Sequence, residues 1–345
     1  MNSSIEAALK TFDLKPDSFE IKTMGSGLIH QTFLIKGSKS YVLQKLNTSI
    51  FKNPEQIEKN IALTSGYLKE INPEYLFPAS IPTYEGKPLF FDGITYWRLS
   101  PFVFNSITID VADKPELAFE AAKAFGQLAK LLNDISVNDF EITISDFHNL
   151  SFRYEQFQSA ISEGISSRIS HAAELIQFYN SQKRIVDVFD EIKKDKLLPI
   201  RVQHHDTKIN NVLLDSDSMN ALAICDLDTL MPGYFISDLG DMVRTYTSAE
   251  NEESTNWDAI KVRPDYYDSL MRGYLSEMQN SLTETEKEYL FYAGEFMIYM
   301  QGLRFLADYL LGDVYYPVKH ELHNFNRSKN QMLLLGSLQL FNSPA

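Results

Sequence analysis

Residues 203–244 read QHHDTKINNVLLDSDSMNALAICDLDTLMPGYFISDLGDMVR, and no other stretch constrains the fold as tightly. Two acidic centres flank a short hairpin pattern. The first is His204-His205-Asp206, with Asn211 five residues beyond the aspartate; the second is Asp226-Leu227-Asp228. Residues 211–214 and 221–227 read as strands, and the polar run 215–220 reads as the turn between them. A hairpin brings its two ends together. The spacing therefore predicts that Asp206, Asn211 and Asp226 converge on one small volume.

Such a cluster suits phosphoryl transfer from a nucleotide. That reaction needs a carboxylate to orient the acceptor hydroxyl and take its proton, and hard oxygen ligands for magnesium ions that neutralise the phosphates. Asp206 fits the first role, Asn211 and Asp226 the second. Asp228 follows Asp226 by two residues. In a strand it would share that face and reach the same metal or the acceptor. Protein kinases combine the same parts: a catalytic-loop Asp, an Asn five residues on, and a metal Asp beyond a hairpin. Their H-R-D and D-F-G tripeptides are replaced here by His-His-Asp and Asp-Leu-Asp.

The stretch resembles the aminoglycoside phosphotransferase and choline kinase superfamily, whose catalytic loop reads H-G-D-x-x-x-x-N. Its wording D-T-K-x-N-N, D-L-D-T-x-M-P-G and D-x-G-D-x-x-R is similar to that of the N-acetylhexosamine 1-kinases. Residues 41–54 (YVLQKLNTSIFKNP) and 304–315 (RFLADYLLGDVY) resemble the same subfamily. The resemblance implies a two-lobed, protein-kinase-like α+β fold, with a small N-lobe built on an antiparallel sheet and a larger helical C-lobe. It implies ATP and Mg2+ as cofactors and an N-acetylhexosamine, phosphorylated on its anomeric hydroxyl, as substrate; the alternatives are another small alcohol acceptor (an aminoglycoside, a choline-like alcohol or another sugar) and nucleotide binding without turnover. Arg304 and Tyr315 match residues that line the sugar pocket. Gln44 matches a position where kinases of this architecture commonly carry a phosphate-binding Lys or Arg. Residues 101–104, with Phe102 and Phe104, match a hinge whose backbone pairs with adenine. The subfamily's flap tends to read G-x-G-x-I-N, whereas here Ile29 is followed by His30.

Taken in order, residues 4–12 read as a short amphipathic helix. Residues 21–35 read as two strands broken by Gly25-Ser26-Gly27, a turn lean enough for its backbone to approach phosphates. Residues 41–46 are a third strand and 53–68 a helix, with Glu55 and Glu58 as possible partners for a cation. Residues 81–83, 88–91 and 95–100 are expected to complete the sheet. Beyond residue 116 the pattern is helical: a stripe through Phe119, Ala122, Phe125, Ala129 and Leu132, then 150–164, 172–196, 284–311 as one long helix or two in sequence, and 324–340. Asp238 and Asp241 open another helix, where acidic residues ordinarily cap. Arg304 and Asp308 stand at i and i+4 and could pair locally.

The expected division is an N-lobe over 1–104 and a C-lobe over 105–345, with ATP in the cleft between them. A net charge of −14 argues against a nucleic-acid partner. The lone Cys225 excludes an internal disulfide framework. No run approaches a membrane span, and the opening MNSSIEAALK lacks a leader's basic and apolar segments. The cytoplasm is the expected compartment, and oligomeric state is not legible.

Overall fold

The structure, a computed structural model, describes residues 3–24 and 30–341. The Gly25-Ser26-Gly27 flap lies outside the described residues. The chain divides into two compact units: Met1–Ile107, Asp134–Ser145 and Val212–Pro232 in the first, and Thr108–Asn133, Asp146–Asn211 and Gly233–Ala345 in the second. The 203–244 stretch is thus split between them.

Unit 1 opens with helix α1 (Ser3–Thr11) and strands β1 (Glu20–Met24), β2 (Gln31–Lys36) and β3 (Tyr41–Lys45). Helix α2 (Pro54–Ile71) follows, then β4 (Phe90–Phe91), β5 (Tyr96–Pro101) and β6 (Ser106–Ile107). The first sheet is antiparallel throughout, in the order β1-β2-β3-β5-β4. Alternation sorts its side chains onto two faces. Ile35, Leu43, Trp97 and Leu99 pack with Ile5, Ala8, Leu9 and Phe12 of α1 and its C-terminal turn. Burial of each large side chain there is worth about 1.5–3 kcal/mol. The other face carries Thr32, Gln44 and Arg98, aligned as successive cross-strand partners. Residues 81–83 are not a strand. Ile81 donates one bond to Leu99 O at 2.7 Å, and Pro82, lacking an N–H, cannot extend the ladder.

The chain then enters unit 2 as α3 (Pro115–Leu131), α4 (Leu150–Glu163), α5 (Ser166–His171), α6 (Ala173–Ser181), α7 (Arg184–Asp195) and β7 (Arg201–Gln203). The single helix expected over 172–196 is two. Asn180 and Ser181 favour local backbone bonds over helix continuation, and Ser181 Oγ donates to Phe178 O at 2.6 Å.

Strands β8 (Val212–Asp215) and β9 (Ala221–Ile224) form the expected hairpin in unit 1, extended by β6. Asn105 holds its tip, donating to Asp215 and Asp217 at 3.0 Å and accepting from Ser216. Beyond β9 the chain turns. Asp226 is left-handed, with φ 58°, and Leu227–Thr229 is a 3-10 turn. The strand alternation that would put Asp226 and Asp228 on one face therefore stops before it reaches them.

After β10 (Met231–Gly233), unit 2 is completed by α8 (Phe235–Tyr246), α9 (Pro264–Met278), α10 (Glu284–Glu288), α11 (Leu290–Leu311) and α12 (His323–Phe341). Helix α11 is the axis, packed against α4, α8 and α12. Its apolar residues from Phe296 to Leu310 are buried almost without exception, as expected of a helix hydrophobic on all sides. Gly240 lets α8 approach it closely, since a Cβ there would overlap the Ala293 carbonyl. No described helix is long and apolar enough to cross a membrane.

Candidate active site

The catalytic-loop sequence lies between β7 and β8 and is fastened from below by Asp238. Its Oδ2 accepts the His204 N–H at 2.9 Å, and its Oδ1 accepts the His205 N–H at 2.7 Å. Thr207 Oγ1 donates to the Asp238 carbonyl at 2.7 Å. The cap expected at this helix start thus serves the loop rather than the helix. His205 is left-handed, with φ 65°, and its ring leaves no room for a Cβ on Gly233. His204 Nδ1 accepts from the Asp206 N–H at 3.3 Å, and its ring rests edge-on against Phe125.

Held this way, Asp206 meets Asn211. Asn211 Nδ2 donates to the Asp206 carbonyl at 2.8 Å and to its Oδ2 at 3.2 Å. The amide oxygen Oδ1 is left with no protein donor among the described residues. Lys208 Nζ sits 3.1 Å from Asp206 Oδ1, both side chains partly exposed. Asp241 pairs with Arg244 at 3.0 Å, and Arg244 also reaches Glu252 at 2.7 Å.

Asp226 and Asp228 belong to unit 1, where Asp228 is almost fully buried. Arg98 donates to its Oδ1, and His30 Nε2 lies 2.5 Å from its Oδ2. His30 Nδ1 accepts the Asn47 N–H at 3.0 Å, so the ring hydrogen resides on Nε2 and points at Asp228. Arg98 also reaches Glu58 Oε1 at 3.3 Å and Gln44 Oε1 at 3.2 and 2.7 Å. Of the two glutamates noted on α2, Glu58 is the one that meets a cation. Phe102 donates its N–H to Ser40 O at 3.1 Å, and the Phe104 side chain is 87% exposed.

Unit 2 also gathers Arg304 and Tyr315. The Arg304 guanidinium lies 5.4 Å from the Phe147 ring centroid, 5.9 Å from Tyr315 and 5.5 Å from Tyr316. Its polar partner is Gln301 at 2.6 Å. The i,i+4 pair with Asp308 does not form. Asp308 instead accepts the N–H groups of Val314, Tyr315 and Tyr316 at 2.8–2.9 Å, which sets both tyrosines beside Arg304. Phe147 stacks on His148 at 4.4 Å, and His148 lies 5.3 Å from His205. Rings therefore lead from Arg304 to the residue preceding Asp206.

The model of the phosphotransferase enzyme family matches residues 20–279. The chain belongs to that family. Solved structures share the fold at low identity. An aminoglycoside phosphotransferase from Alicyclobacillus acidocaldarius superposes with a TM-score of 0.66 at 11% identity, covering 97% of this chain and 95% of the other. A choline kinase from Cryptosporidium parvum Iowa II gives 0.59 at 14%, covering 98% and 96%. A microcompartment-associated aminopropanol kinase gives 0.63 at 14%, covering 96% and 95%. The protein-kinase-like fold class expected from the sequence is the fold of this phosphotransferase.

Burial sets the phosphotransferase's electrostatics. It pushes Asp238 up to about 6, against the opposing pull of His204 and two backbone N–H groups. Burial would also raise Asp228, but Arg98 and His30 outweigh it and hold this carboxyl well below its usual range. Glu58 is raised by burial, which Arg98 only partly offsets. Asp206 raises Lys208. Burial and the neighbouring Arg304 bring Arg153 down to about 10, and burial holds His148 well below its ordinary value. The described residues contain no group of three or more His, Cys, Asp or Glu side chains placed around one ion. The open Asn211 Oδ1 is a fitting donor for a magnesium ion.

Sequence reading missed Arg98, Phe147, His148 and Arg153. Arg98 had a usable signal: a lone arginine between Trp97 and Leu99, on the face opposite theirs and level with Gln44. Phe147 and His148 lie in an irregular loop with no periodicity to assign them, and Arg153 lies on α4, where the helical pattern marks the element but not the residue.

Proposed function

We propose that this phosphotransferase is an ATP- and Mg2+-dependent kinase that phosphorylates the anomeric hydroxyl of an N-acetylhexosamine. Asp206 orients that hydroxyl and accepts its proton as the oxygen attacks the γ-phosphorus, while the bond to the β,γ-bridging oxygen breaks and ADP departs. Asn211 and Asp226 are the proposed metal ligands. Bound magnesium supplies charge neutralisation on the phosphates. Gly25, Ser26, Gly27, Gln44, Phe102 and Phe104 are assigned to the nucleotide, and Arg304 and Tyr315 to the sugar.

The observation that carries the acceptor class is the lining around Arg304. Arg304 stands close enough to Arg153 to help bring its pKa down. Among the described residues, neither forms an ion pair with a carboxylate within 4.0 Å. Two cations with no carboxylate partner disfavour a cationic amine or aminoglycoside beside them. The Arg304 guanidinium can donate hydrogen bonds to a neutral, hydroxyl-rich ring.

The test is transfer of labelled phosphate from ATP to N-acetylglucosamine, N-acetylgalactosamine, choline, ethanolamine and an aminoglycoside. Turnover of the amino sugars alone is expected; preference for a cationic acceptor would overturn the assignment. Arg304→Ala should then raise the sugar KM roughly ten- to a hundred-fold, the loss of a charge-assisted hydrogen bond, and leave the ATP KM unchanged.

A further inference from the structure

Asp226 holds a left-handed conformation, with φ 58° and ψ 59°. Aspartate is among the few residues with a Cβ that visit this conformation singly, and which conformation it holds here is set by its surroundings. The surroundings here are specific. Two residues on, both oxygens of Asp228 are taken, one by Arg98 and one by His30. Beyond the 3-10 turn, Asn60 Nδ2 donates to Leu230 O at 2.9 Å. The turn is therefore gripped on its far side by the sheet and by α2.

The grip has little freedom. Arg98 is 5% exposed, and its Nε, Nη1 and Nη2 groups already donate to Gln44, Glu58 and Asp228. It has little capacity left for a phosphate. His30 uses one nitrogen on the Asn47 backbone and the other on Asp228, so its tautomer cannot switch without losing a bond. Neither residue has a free lone pair for a metal.

We propose that His30, Arg98 and Asp228 form a buried anchor that fixes the Asp226 turn, so that His30 and Arg98 are positioning residues for the metal carboxylate. The proposal rests on the reading of Asp226 as a metal ligand. Partners that orient a ligand without touching the ion typically account for ten- to a hundred-fold in metal affinity.

The experiment uses the full chain with ADP and titrates Mn2+, following the free ion by electron paramagnetic resonance. ADP affinity without metal and a melting curve are measured alongside. His30→Asn and Arg98→Lys should each weaken Mn2+ binding about ten-fold or more, and His30→Asn should leave ADP affinity in the absence of metal unchanged. Asp228→Asn should do the same, because its amide would face the His30 N–H. Combining it with His30→Asn should add nothing further. Asp226→Asn should lose the Mn2+ site outright. If Asp226→Asn loses it while folded His30→Asn and Arg98→Lys bind Mn2+ normally, the anchor is wrong and the ligand assignment stands. If Asp226→Asn binds Mn2+ normally, the ligand assignment fails and takes the anchor with it. Should Arg98→Lys fail to fold, His30→Asn and the double variant decide the matter.

Discussion

The acidic residues around Asp206 and those around Asp228 are built on opposite principles. Asp206 is partly exposed, its lysine partner is 43% exposed, and its neighbour Asn211 keeps an oxygen unspent. Asp228 is 1% exposed, with both oxygens committed to buried partners. A carboxylate with spare hydrogen-bonding capacity can meet a ligand. One whose capacity is spent inside the protein can only hold something in place. The contrast assigns different duties to residues that look alike in sequence.

Stability should break the comparison most visibly on the buried side. Arg98→Met leaves Glu58 without its cation and Asp228 with His30 alone, and should cost about 3–5 kcal/mol in denaturant melts, the range for breaking a buried ion pair. A loss below about 1 kcal/mol would mean the cluster is wetter than described.

Asp238 offers a pH test. Its carboxyl is raised from 3.8 to about 6 in the folded state. A raised value means that the folded protein binds this proton more tightly than the unfolded chain. The associated stability is complete below about pH 4 and lost as pH rises through about 6. Asp238→Asn lacks this proton. The wild-type advantage over the variant should therefore shrink by roughly 2 kcal/mol between pH 4 and pH 7. Paired urea melts at several pH values check it, and a flat difference would place the carboxyl near its ordinary value.

On the open side the effects should appear in rate. Asp206→Asn should lower kcat about 10²-fold or more, the scale for removing a general base, with little change in melting temperature. Near-normal turnover would remove Asp206 from that role. The smallest effect belongs to Lys208→Ala. With its side chain 43% exposed, the Asp206 pair should contribute under about 1 kcal/mol to stability; a larger drop would mean that the open side is not open.

Much of the fold was legible because periodicity reports burial. The strands of the first sheet, the hairpin and the helices through Phe125 and Tyr299 follow from alternation or a 3.6 repeat. The failures have local causes: a proline that ends the ladder at Ile81, and Asn180-Ser181, where one expected helix became two. At the candidate site, the meeting of Asp206 and Asn211 was readable from spacing within one loop. The engagement of Asp228 was not, because it depends on Arg98 and His30, which are distant in sequence and meet only through sheet register. Arg304 stood out as a charge in an apolar helix. Its aromatic surroundings came partly from residues 147 and 148, which no sequence pattern marks.

The three-segment make-up of unit 1 has a consequence for how the protein is born. Arg98 and Asp228 are 130 residues apart in the chain. At a synthesis rate of about 5–20 residues per second, the ribosome delivers the aspartate roughly 7–26 s after the arginine. Throughout that interval the first sheet can be complete in its strands, yet its buried guanidinium has Glu58 as its sole available carboxylate. The sheet is thus kept from final closure until the hairpin and its turn have emerged, and a nascent chain stalled before residue 228 should be open to chaperones and proteases at that spot.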